Sequence, residues 1–461
     1  MNRNATQADS QYVSKVKKLI ELVDPVDTAK PSVVTYARHF YAVTADLKKR
    51  IQSLAQEVKV VSETRANIAV LEDLKKQHKA AVQQLEKEQA DRQRLIITIV
   101  SQVIALSEGE TYYETQTASS RFLGTLLLLT RGKDGNYARY HQRLKPLYKA
   151  VLALRLSDKV LADSSVKHSY LSKYAGVLER FTDEVKMREW ANFIATPVIA
   201  AAIFQDIGLY HEEAVRILYG EDGEDDPFRE LDESFRKQLL KINYQQTLTF
   251  IRDGVSFIGC EQNKGPHGFL MELMQDTFTG KSGIGDILKI PQVYSSIVLS
   301  TKPGYNRSML PKGYMLIEQM AKQKSVNSRL AEHFINIVGY FPQGFGVCFI
   351  PVNEKGQEKD QYEYAIVSRL NPEHPAEPVC KIVSRNLTFF AAGKEERVAK
   401  DRNLFFNATK QKLMKIDRAR MTEIMSQLKK NFTIADVDEH IPAFWEPHDF
   451  FADRKNQSIW R

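Results

Sequence analysis

Between Ser32 and Glu108 the chain contains neither glycine nor proline. No stretch constrains the fold more, because the two residues that most often end a helix are missing from it. Apolar side chains recur there in three- and four-residue steps: Leu47, Ile51, Leu54, Val58 and Val61. Arg65 interrupts the seam, Ile68 resumes it, and Leu71, Leu74, Ala81 and Leu85 continue in shifted phase. Lys48, Lys49, Glu57, Glu63, Lys75, Lys76, Glu86 and Lys87 occupy the outer faces. The pattern predicts a helical hairpin or short coiled coil, with either its own chain or a second copy covering the seam. Further helices follow from Gly109 to Asp158, broken at Gly132 to Asn136, with Pro146 expected to open the last of them.

The chain is helical again from Lys159 to Gly339, where an acidic stretch, Asp222 to Glu233, reads as a solvated loop. Its oxygens lack the alternation of a calcium loop. After Gly339 come short β-type runs, Gly346 to Ile350, Tyr362 to Val367 and Val379 to Val383, which predict a small antiparallel sheet. A basic helical segment, 394–430, carries Lys410, Lys412, Lys415, Arg418 and Arg420. The aromatic, proline-containing tail from Ile441 is expected to dock on its own chain. The fold class is therefore mainly α, with an N-terminal helical module, an all-helical domain and a small β appendage. The expected divisions are 1–155, 156–340, 341–393 and 394–461.

The net charge of +8 is modest for 461 residues and demands no polyanionic partner. The basic segment carries no zinc knuckle, recognition-helix or aromatic-basic pattern, so nucleic acid is not expected. Cys260, Cys348 and Cys380 form no metal-ligand spacing and suit a reducing cytoplasm. The apolar runs Leu95–Leu106 and Phe122–Leu129 are well short of the ~20 residues a membrane span needs.

Several separated motifs carry a family signal. An apolar run from Ala200 ends in Gln205-Asp206-Ile207-Gly208-Leu209, where metal-dependent phosphohydrolases of the HD superfamily carry His-Asp-Ile-Gly-Lys. Lys167-His168-Ser169 resembles that family's opening helix, and Asn243-Tyr244 stands where a further histidine would open the next one. Gly259-Cys260-Glu261 through His267-Gly268-Phe269 takes the place of a His-His-Glu loop. Lys289 to Ser295, followed by Lys302-Pro303 and Tyr305, resembles the helix bearing the last metal aspartate and its sequel. Ile337-Val-Gly339-Tyr-Phe-Pro342-Gln-Gly344-Phe-Gly-Val347 resembles a Leu-Gly-x-Tyr-Pro-x-Gly-x-x-Val ending. Over about 160–390 the chain thus resembles the HD-GYP family of cyclic di-GMP phosphodiesterases.

The resemblance implies a helical phosphodiesterase framework, but most of its metal ligands are replaced. His168, Gln205, Asp206, Asn243, Cys260 and Ser295 stand at the vestigial metal positions, and Gly259 offers no side chain. Only His168 and Asp206 are good ligands, and two ligands cannot hold a pair of divalent ions. His211, Glu212, Glu213 and His267 are the alternatives should the register be shifted. Asp206 is expected to join Gln205, Asn243 and Ser295 in a polar network where metals would sit, because a buried carboxylate needs partners. No catalytic residue, resident metal or cofactor is expected.

The resulting expectation is a non-catalytic regulatory or scaffold protein of bacterial cyclic di-GMP-type signalling, partnered through its N-terminal helices by another protein or a second copy. One alternative is a sensor of cyclic di-GMP or another nucleotide, with Lys264, Lys302 and Arg307 on phosphate and Tyr305 as a stacking face. The other is a residual metal-dependent phosphodiesterase.

Overall fold

A computed structural model describes residues 9–64, 68–130, 137–255, 265–391, 393–414 and 441–460. The architecture is mainly α-helical with a small antiparallel sheet near the C-terminal end. The chain begins with α1 (Gln11–Val23) and α2 (Val33–His39). Ser10 caps the first helix, accepting from Val13 N at 3.3 Å. Ser32 and Thr35 cap the second reciprocally, and such caps satisfy amides that a helix start leaves unpaired.

The glycine-free stretch forms α3 (Ala45–Glu63) and α4 (Ile68–Ser107). They make a hairpin whose seam buries Leu47, Leu54 and Ala81, with Ile51, Leu74 and Leu85 packed on it. Arg65, where the seam changes phase, lies outside the described residues. At the base of the hairpin Thr44 Oγ1 donates to Glu88 at 2.7 Å, and Arg92 donates to Thr44 at 2.7 Å. Beyond Arg92, α4 enters the main core through Ile96, Ile99, Val100 and Val103.

Next come α5 (Tyr112–Leu128) and α6 (Tyr137–Asp163). The break expected at Gly132 to Asn136 falls outside the described residues. Pro146 lies inside α6 rather than at its start. Its missing N–H leaves the Gln142 carbonyl without a helical partner, and both residues line a cavity described below. The surrounding helical sequence on both sides outweighs the single lost bond. The α6 helix is the central one. It packs on α9 (Thr196–Phe204), α13 (Asp286–Val298) and α15 (Ser328–Val338). The division expected at 155 falls within α6, and one apolar core runs from Val16 through to Val398.

Between these lie the short α7 (Ser169–Ser172), α8 (Glu184–Trp190), α10 (Glu212–Tyr219), α11 (Glu233–Thr249), α12 (Gly265–Thr279) and α14 (Gly313–Lys322). The segment Glu184–Tyr210 is the one described helical stretch apolar and long enough to cross a membrane, yet 72% of its most apolar window is buried inside the protein. It is a core element, and the apolar runs in α4 and α5 are core segments too.

The sheet contains β1 (Gly346–Phe349), β2 (Glu363–Val367), β3 (Val379–Ile382), β6 (Glu395–Arg397) and β7 (Phe444–Trp445), in the order β6-β3-β2-β1-β7. A two-stranded ribbon, β4 (Ser384–Arg385) and β5 (Thr388–Phe389), is appended. The aromatic tail supplies the edge strand, pairing Phe444 with Val347 and Trp445 with Gly346. It then packs Phe450, Phe451, Ile459 and Trp460 against Val13 and Leu128. The basic segment expected to be helical begins instead with the strand β6, which pairs with β3, and a 3-10 turn, Lys400–Arg402, because the edge of β3 offers its backbone a partner. Helix follows only in α16 (Asn407–Met414), and Lys415, Arg418 and Arg420 lie outside the described residues.

Candidate functional site

The apolar helix α9 delivers Gln205 and Asp206 to the end of its last turn, after which a 3-10 turn, Ile207–Tyr210, begins. Gly208 lets the backbone of α11 (Glu233–Thr249) approach that turn closely, since a Cβ there would stand 2.2 Å from the Asn243 carbonyl oxygen. Asn243 does not open a helix; it sits in the middle of α11. Its amide donates to the Gln205 carbonyl at 3.1 Å, and Thr247 Oγ1 accepts from Gly208 N at 3.1 Å. These side chains staple the end of α9, satisfying backbone groups the helix terminus leaves open.

Asp206 has partners other than the expected ones. Lys149, from the middle of α6, donates to Asp206 Oδ2 at 2.6 Å and to Gln292 Oε1 at 2.8 Å. The Gln292 amide donates to Asp206 at 3.1 and 3.3 Å, closing a triangle. Ser295 lies one turn on from Gln292 and donates to the Gln292 carbonyl at 3.0 Å instead of to Asp206. The expected network of Asp206 with Gln205, Asn243 and Ser295 is therefore replaced. The physical reason is charge: a half-buried carboxylate is offset far better by an ammonium than by neutral amides and hydroxyls. Gln205 Oε1 is buried without a hydrogen-bond partner.

Burial raises the Asp206 carboxyl, but Lys149, Lys145 and the Gln292 amide together outweigh it and hold it below the ordinary carboxylate range. Burial pulls the Lys149 ammonium down, opposed by Asp206.

The triangle forms part of the wall of a cavity of about 530 Å³. Asp206 shows 34% of its side chain to it. Lys145, one helical turn before Lys149, lines the same space and makes no ion pair or hydrogen bond among the described residues. Burial lowers its ammonium to about 8; Asp206 opposes the shift, while Lys149 and Lys302 add to it. Lys302 and Arg38 bring further positive charge, and Tyr210, Tyr219 and Phe228 supply aromatic walls. The acidic half of the loop after α10 is exposed, as expected, but Pro227 to Arg229 fold over the cavity. Arg229 fastens this flap to the Ile217 carbonyl at 3.0 Å and to Asp225 at 2.8 Å, and its own carbonyl accepts from Lys302 Nζ at 3.3 Å.

The other expected residues are dispersed. His168 precedes the short α7 rather than a long apolar helix, and its Nε2 lies 2.9 Å from Glu272 on α12. His211 caps α10, accepting from Glu213 N at 3.3 Å, and Glu212 begins that helix. His267 is buried on α12, and burial lowers its imidazole. Cys260 and Lys264 lie outside the described residues. Tyr305 stacks on Tyr137 at 5.4 Å and donates to the Val298 carbonyl at 3.1 Å. Arg307 is 4% exposed and donates to the Leu127 carbonyl and Thr130 Oγ1, each at 3.3 Å. Its role is to close the end of α5, so it is no phosphate contact. Of the four expected nucleotide contacts, Lys302 lines the cavity.

A divalent cluster of the kind the family resemblance implies needs converging imidazoles and carboxylates. Among the described residues no three histidine, cysteine, aspartate or glutamate side chains converge in that way. Both oxygens of Asp206 are engaged by an ammonium and an amide, so the donor set does not fit such a group. Comparisons of the chain with family models, with curated proteins and with solved structures gave no match.

Lys149, Lys145 and Gln292 were not among the residues singled out from the sequence. Lys149 did leave a signal, because it is a single charge inside the run Leu147 to Leu154. A lysine there must be paired.

Proposed function

We propose that this chain is a non-catalytic HD-GYP-like regulatory protein of cyclic di-GMP-type signalling that acts as a receptor for an anionic nucleotide. The observation that carries the reading is the Lys149 ammonium bonded to Asp206 at 2.6 Å, a fixed organic cation on the aspartate to which the family resemblance would assign a metal. Next to it, Lys145 faces the cavity with its charge uncompensated by any described ion pair. A concave site with mixed aromatic and cationic walls suits a ligand with phosphates and a flat base.

The cavity supports the sensor reading over a pure scaffold. Its contacts are Lys145, Lys302 and Arg38, with Tyr219 and Phe228 as stacking faces. The α3–α4 hairpin, mostly exposed over residues 55–64 and 68–80, is the surface through which a partner protein or a second copy would read the bound state. A reducing cytoplasm suits Cys348 and Cys380, both buried as free thiols. A residual phosphodiesterase is disfavoured by the donor set around Asp206. The test is incubation of the purified chain with cyclic di-GMP and manganese or iron, followed by product analysis. No turnover above a no-protein control is expected, and clear hydrolysis would overturn the non-catalytic reading.

A further inference from the structure

The first and last described segments meet at a second, larger cleft of about 1090 Å³. Ser10 N donates to Gln457 Oε1 at 2.7 Å, which joins the start of α1 to the C-terminal turn. Trp460 closes the floor by sitting on Gly124 of α5, where a Cβ would stand 2.2 Å from its ring. The cleft is thus framed by α1, α5, the sheet and the tail, all anchored to the core.

Its lining is strongly basic. Lys15, Arg121, Arg369, Lys381, Arg454 and Lys455 face it, against Glu114 and Glu395, with Lys455 also paired to Asp453 at 3.2 Å. Glu395 is already engaged by Arg369, at 2.7 to 3.0 Å, and lies opposite Lys381 in the β3–β6 register. Lys15 and Arg454 are exposed and have no ion pair among the described residues. Tyr113, 65% exposed, and the Arg121 guanidinium, 3.5 Å from the Tyr12 ring centre, add flat surfaces to the wall. For a chain whose whole formal charge is +8, this is a large share of the excess in one concave place. Like charges lining a cleft repel one another and focus a positive potential in it. A multivalent anion relieves that repulsion, whereas a single carboxylate would leave most of it.

We infer that this cleft is a second ligand site, separate from the Asp206 cavity, and that it takes a small molecule bearing two or more phosphate groups. Lys15 and Arg454 are the entry contacts, and Arg121 and Lys381 contribute charge deeper in the wall. The inference does not depend on the receptor reading of the other cavity.

The test uses the full chain and inorganic tripolyphosphate, titrated by calorimetry in metal-free buffer. Wild type, Lys145→Gln and Lys145→Gln/Lys15→Gln/Arg454→Gln are compared, each checked for a cooperative melting transition. Saturable binding is expected, weakening steeply with salt. It should persist in Lys145→Gln, where the phosphate contact of the other cavity is gone, and be at least tenfold weaker in the triple variant. Equal affinity in the triple variant, loss in Lys145→Gln, or no saturable binding would overturn the assignment. Tighter binding of a single-stranded oligonucleotide than of tripolyphosphate would overturn the small-molecule class.

Discussion

A single side chain, Lys149, decides what the Asp206 region can do. It is 1% exposed and bonded to both Asp206 and Gln292. Removing one partner of such a pair leaves the other charge uncompensated. Lys149→Met should therefore destabilise the fold by about 3 kcal/mol, the lower end for a buried pair because Asp206 also faces the cavity. Lys149→Met combined with Asp206→Leu should recover much of the loss in chemical denaturation, since an apolar pair of similar volume replaces the ions. Equal stability of the single variant and wild type would contradict the ion pair. Lys145 makes a separate prediction. Its ammonium is lowered from 10.5 to about 8, so between those values the unfolded chain holds the extra proton and stability rises with pH. An anion in the cavity favours the protonated form. Nucleotide affinity should then fall as pH rises above 8, and the fall should vanish in Lys145→Gln.

At the scale of elements, much was legible and the failures have definite causes. The hairpin and β1 to β3 follow from local periodicity, which a sequence carries directly. Pro146 misplaced a helix start because tertiary packing of α6 on α9 and α13 holds the helix through the proline. The Asp206 triangle was not legible, because Lys149, Asp206 and Gln292 are 57 and 86 residues apart in sequence along its two sides from Asp206. Asp206 could be seen to need a partner, but no local pattern said which. Asn243 was placed at a helix start through motif order, while its true use is to cap a neighbouring helix. The hairpin makes its own prediction. Leu54 is 5% exposed in a seam closed within the chain, in a slender element able to collapse around a cavity. Leu54→Ala should cost about 2 kcal/mol. Amide exchange should quicken in α3 and the facing half of α4 and stay unchanged in α6. Uniform acceleration through the whole chain would contradict an autonomous hairpin.

For the whole molecule, a buried ionic cluster ties the N-terminal helices to the centre. Glu108 at the end of α4 accepts from Arg155 at 2.7 Å and from Arg180 at 2.9 Å. Arg180 also reaches Asp158 at 3.1 Å, and its guanidinium lies 4.3 and 4.4 Å from the ring centres of Phe181 and Trp190. Both arginines are 1% exposed and the charges balance. Arg180→Ala should lower global stability by about 3–5 kcal/mol, read as a shift in the denaturant midpoint. A change under 1 kcal/mol would contradict a stabilising role for the cluster.

The measurement that bears on the proposed receptor is calorimetric titration of the full chain with cyclic di-GMP in the presence of manganese, with recovery of the nucleotide afterwards. Saturable binding, intact nucleotide and an affinity about tenfold or more weaker in Lys145→Gln are expected. Absence of binding heat, or nucleotide recovered as its hydrolysis product, would contradict the receptor reading.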